Sequence, residues 1–94
     1  MEIVVIRNFS SGGRKRVAVG ILQYLLAHPD AKDSLKGIRE QWIVEIGSRS
    51  PSEDVQAVLD CLVARGWLVE RRPPAAIYSL KKDKTAQILG FLKQ

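Results

Sequence analysis

The stretch Leu62-Val-Ala-Arg-Gly-Trp-Leu-Val-Glu-Arg-Arg-Pro-Pro-Ala-Ala-Ile-Tyr-Ser-Leu80 decides how the chain is read. Gly66 follows an apolar stripe at helical spacing, Val55, Val58, Leu59, Leu62 and Val63, and glycine is the residue that most readily ends a helix in the left-handed conformation. Directly after it, Trp67 to Arg71 reads as a strand. Arg72-Pro-Pro-Ala reads as a turn and Ala76 to Leu80 as the returning strand. A proline donates nothing to a sheet ladder, so Pro73 and Pro74 belong at the hairpin tip. A hairpin lying on a helical body buries only the side chains near its base. Trp67, Leu68 and Tyr78 are therefore expected inside, and Arg71 and Arg72 in solvent or against a partner.

Outward from this stretch, Ser50-Pro51-Ser52-Glu53 carries a helix start signal. Ser50 is expected as the cap, Pro51 at the first helical position, and Glu53 where it can close a capping box. Upstream, Val17, Ile21, Leu22, Leu25 and Leu26 recur at helical spacing, which predicts a first helix over about Arg14 to Ala27, stopped before Pro29. Leu35, Ile38 and Trp42 share one face of a second helix, roughly Ser34 to Ile43, which Gly37 weakens by about 1 kcal/mol relative to alanine. The segment HPDAKDS between them is expected to be a polar connector. At the two ends, Ile3-Val4-Val5-Ile6 predicts a strand over Glu2 to Arg7, and Ile88, Leu89, Phe91 and Leu92 predict a helix over about Lys84 to Lys93 with Asp83 as its cap.

Three helices, the third ending in glycine and running straight into a hairpin with a basic tip, resemble the winged helix-turn-helix family. The residues that carry the likeness are SPSEDVQAVLDCLVARG, the strand WLVER and the return IYSL, and it covers Arg14 to Leu80. AHPDAKDSLKGIREQW is similar to small bacterial proteins of this class. The resemblance implies an α+β fold with a three-helix core and a β-hairpin wing, extended by an N-terminal strand and a C-terminal helix. It also implies a DNA-binding transcriptional regulator whose third helix enters the major groove of duplex DNA and whose wing touches phosphates. The candidate nucleic-acid contacts are Arg14, Lys15 and Arg16 after the Gly-Gly pair, where free amides favour an anion, with Arg49, Ser52 and Gln56 around the third helix and Arg71 and Arg72 on the wing.

One feature departs from that pattern. Opposite its apolar stripe the third helix carries Glu53, Ala57, Asp60, Cys61 and Ala64, with none of the Arg, Lys or Asn side chains that usually read base edges. The alternative reading is a winged-helix protein-protein interaction or adaptor module that does not bind DNA. The terminal elements then either complete a monomer's core or join two copies into a homodimer, through the N-terminal strand or the C-terminal helix.

Composition bounds these readings. The 94 residues are 46% apolar and 27% charged, enough for one core and a single domain over residues 1–94. Fifteen Lys and Arg against ten Asp and Glu give a net charge of +5, which suits phosphates or acidic surfaces. The charge is unevenly spread. Arg7 to Arg16 and Arg65 to Lys84 are basic, and Asp30 to Asp60 between them is acidic. One cysteine makes no internal disulfide, and no His and Cys spacing suggests a metal site, so no cofactor and a cytoplasmic location are expected. MEIVVIRN holds only four consecutive apolar residues, so no membrane segment is expected. SSGGRKR lacks the GxxxxGK[ST] phosphate-loop pattern, and the lone His28 has no base partner in sequence. An enzyme is therefore not expected.

Overall fold

The protein is described by a computed structural model over residues 12–44, 51–72 and 75–93. It is a small α+β structure. Helix α1 spans Gly12–Ala27 and is followed by the two-residue strand β1, Lys32–Asp33. Helix α2, Leu35–Gly37, runs on as a wider π-helical turn over Ile38–Trp42. Helix α3 is Ser52–Ala64, and strands β2, Leu68–Arg71, and β3, Ile77–Leu80, follow it. A 3₁₀ turn over Lys82–Lys84 leads into helix α4, Thr85–Leu92. The strands form one antiparallel sheet in the order β1-β3-β2. Ser79 lies opposite both Lys32 and Val69, and Tyr78 opposite both Asp33 and Glu70.

The apolar spacing has its physical counterpart in one continuous core. Val17, Ile21, Leu22 and Leu25 of α1 meet Val55, Val58, Leu59 and Leu62 of α3, closed by Ile38 and Trp42 from α2 and by Leu68, Tyr78 and Leu80 from the sheet. Each fully buried aliphatic side chain here contributes about 1.5–3 kcal/mol relative to exposure. Ile88 is fully buried in the same core, so α4 is part of the body.

The hand-off from α3 to the hairpin is a complete C-terminal cap. Gly66 sits at φ 80°, its N–H bonds the Val63 carbonyl at 2.9 Å, and the N–H of Trp67 bonds the Leu62 carbonyl at 3.0 Å. This double bond pattern satisfies carbonyls that a helix end otherwise leaves bare. At the hairpin's base, the N–H of Lys81 donates to the Trp67 carbonyl at 2.9 Å.

Several expectations need correction. The connector HPDAKDS is not wholly irregular, because Lys32 and Asp33 pair with β3. Two polar residues carry no strand pattern of their own, and β3 imposes the extended conformation. Pro51, with ψ 149°, is extended and stands just before α3 as its N-cap, so it does not occupy the first helical position. Asp83 lies within the 3₁₀ turn and does not cap α4, which starts after Lys84 without a side-chain cap. Ser34 is the cap of α2, its Oγ accepting from the Gly37 N–H at 3.3 Å. The predicted strand at Glu2 to Arg7, the Ser50 cap and the proline tip fall outside the described residues.

Gly37 lies in close approach to the Asp33 side chain. A Cβ built on it would lie 1.9 Å from Oδ1 of Asp33, the atom that accepts the Ser34 N–H at 2.8 Å. Gly37→Ala is expected to destabilise the protein by roughly 1–3 kcal/mol in urea unfolding, through overpacking. In an Asp33→Ala background the same change becomes neutral or stabilising by up to about 1 kcal/mol, since only helix propensity is left. Equal losses in both backgrounds would remove the steric explanation.

Candidate nucleic-acid interface

The first turns of α1 and α3 lie side by side. Arg14 Nε and Nη2 each approach Oδ1 of Asp54 at 3.3 Å. The pair is partly exposed and contributes no more than about 1 kcal/mol, yet it fixes where the start of α1 sits. Lys15 and Arg16 follow as exposed side chains with no ion pair among the described residues. Ser52 is exposed in the first turn of α3. Arg49 falls outside the described residues.

On the other side of α3 stands the hairpin. Arg71 and Arg72, at the end of β2, are exposed as expected. Arg72 is not a bare cation, because its Nε donates to Oε2 of Glu70. That hydrogen bond, and then the Glu70 charge, push the guanidinium above its already high ordinary value. Arg71 forms no ion pair among the described residues.

Gln56 joins α3 to β3. Its Nε2 donates to the Tyr78 hydroxyl at 3.0 Å and to Oδ1 of Asp60 at 2.9 Å. Tyr78 is 1% exposed, so its hydroxyl has left water and relies on a protein partner. Nothing in sequence signals this link across 22 positions. The same holds for Arg14 and Asp54, which are 40 positions apart.

The outward side of α3 is acidic and small. Glu53, Asp60 and Ala64 are exposed, and Ala57 is half-buried. Cys61 packs partly against the core. Elsewhere, exposed Asp30 accepts from Lys82, tying the turn after α1 to the 3₁₀ turn before α4. This bond, together with the lysine's charge, holds the Asp30 carboxyl below its ordinary range. The pair's contribution is therefore present at neutral pH and is lost as pH falls through that lowered value.

The end of α3 is braced by aromatic contacts. The Arg65 guanidinium lies 4.7 Å from the centre of the Trp67 ring, and Trp67 Nε1 donates to Oε1 of Gln87 on α4 at 3.2 Å. Between α1 and α2 runs a shallow groove of about 440 Å³, lined by Gly20, Gln23, Tyr24, Gln41, Trp42, Ile43 and Val44. Tyr24 and Trp42 stack at 5.0 Å in its floor. Among the described residues no group of three or more His, Cys, Asp and Glu is placed to hold a metal ion, and no helix is long and apolar enough to cross a membrane. No protein-family model matches the chain, and neither the curated proteins nor the solved structures include a match to it.

Gln56 is thus positioned as the partner of a buried phenol. Gln56→Ala is expected to cost roughly 1–3 kcal/mol in urea unfolding, the penalty of an unsatisfied buried hydroxyl. Adding Tyr78→Phe should recover most of that loss. If Gln56→Ala leaves the unfolding midpoint unchanged, the link carries no stability.

Proposed function

We propose that the chain is a winged helix-turn-helix module that holds duplex DNA by its phosphates, acting as a transcriptional regulator. The element order supports the fold half of this reading. A capped α3 passes through Gly66 into an antiparallel hairpin whose far end carries Arg71 and Arg72. The observation that carries the functional half is the placement of cations on both flanks of α3. The Arg14 to Asp54 pair brings exposed Lys15 and Arg16 to one flank, and the Gln56 to Tyr78 link brings the hairpin with Arg71 to the other. Lysine and arginine side chains that reach phosphates release condensed counterions, which supplies affinity without reading bases. Glu70 offsets part of the Arg72 charge and occupies its Nε, so Arg71 is the stronger wing contact.

A second reading is favoured by the outward side of α3, where Glu53 and Asp60 flank small Ala57. That surface suits a basic protein partner, in an adaptor module that never meets DNA.

Salt separates the two. With three phosphate contacts, from Lys15, Arg16 and Arg71, duplex affinity should fall roughly 40-fold between about 50 and 200 mM salt. The triple change Lys15→Ala, Arg16→Ala and Arg71→Ala should flatten that dependence and abolish most binding, as read by fluorescence anisotropy of a labelled duplex. Absence of duplex binding by the unmodified protein at the lowest salt would leave the adaptor reading in its place.

A further inference from the structure

We infer that duplex recognition by this chain is indifferent to base sequence, an inference that rests on the duplex-binding reading above. The described part of α3 has one side chain of a type that pairs with a base in bidentate fashion, Gln56. A glutamine reads adenine by donating its amide N–H to N7 while its carbonyl accepts from N6. In this protein both hydrogens on Gln56 Nε2 are committed, one to Asp60 at 2.9 Å and one to the Tyr78 hydroxyl at 3.0 Å. Turning the amide to a base would strip the partner from a phenol that is 1% exposed. The lost bonds offset what the base contact returns.

No other described residue of α3 offers a bidentate substitute, since the exposed Ser52 hydroxyl bonds any base without distinguishing it. Ala57 and Ala64 present only methyl groups, and Glu53 and Asp60 present carboxylates to a groove walled by phosphates. Oδ1 of Asp60 is already accepting from Gln56. Exposed Lys15, Arg16 and Arg71 lie on the elements beside the helix, where the groups within their reach are phosphates and not base edges. Gln56 therefore acts as a positioning residue, holding β3 and the wing against α3.

The test is a selection from a pool of random duplexes at low salt, followed by titration of several unrelated duplexes of equal length. The expected result is a bound pool without an enriched motif and affinities that agree within about threefold, because the phosphate contribution does not depend on sequence. The double change Gln56→Met with Tyr78→Phe, which removes both polar partners and spares the fold, should leave those affinities within the same range. An enriched motif overturns the inference, as does a tenfold preference between duplexes that disappears in the double variant. Failure of every duplex to bind at low salt is a distinct outcome: it removes the duplex-binding reading itself, and this inference goes with it.

Discussion

The left-handed turn at Gly66 is the constraint on which the rest of the structure depends. At φ 80° the chain leaves α3 with its last carbonyls satisfied, and it enters β2 so that Trp67 and Leu68 drop into the core beside Leu62. A residue with a Cβ pays a steric penalty in that region of backbone space, while glycine does not. Once this turn is set, β2 has one direction open to it. Pairing with β3 then buries Tyr78 and Leu80 under α3, and β3 in turn recruits Lys32 and Asp33 as an edge strand. The hairpin's outer end, with Arg71 and Arg72, is carried away from the core by the same geometry.

Charge is arranged around this frame rather than along α3. Acidic side chains on α3 are partly used as internal fasteners: Asp54 holds Arg14 at the start of α1, and Asp60 holds Gln56. Exposed Lys15, Arg16 and Arg71 sit on the elements that these fasteners position. A helix that in the proposed family would present base-reading groups is here a structural beam between two basic edges. Arg65, stacked over Trp67 at 4.7 Å, and Trp67, bonded to Gln87, extend that beam to α4.

What could be read in the sequence follows from how local each signal is. The stripe Val55, Val58, Leu59 and Leu62, the stop at Gly66 and the hairpin with buried Tyr78 and exposed Arg71 are encoded within residues 55–78, where periodicity, glycine and proline expose them. Strand β1 was not legible, because Lys32 and Asp33 become extended only through pairing with residues far along the chain. The π-helical widening of α2 and the close approach of Asp33 to Gly37 likewise need the folded context. Among the candidate contacts, Lys15, Arg16, Ser52, Arg71 and Arg72 are exposed as a contact must be. The tethering of Gln56 to Tyr78 and of Arg14 to Asp54 could not be foreseen, since each joins residues that share no sequence pattern.

The division of labour between α3 and its basic flanks is open to a single measurement: residue-by-residue amide shifts of isotope-labelled protein as duplex DNA is added. The expected pattern concentrates changes at Lys15, Arg16 and Arg71 and leaves Glu53, Ala57, Asp60 and Ala64 close to their free positions. Changes centred on those four α3 residues, with the flanks unmoved, would contradict the arrangement described above.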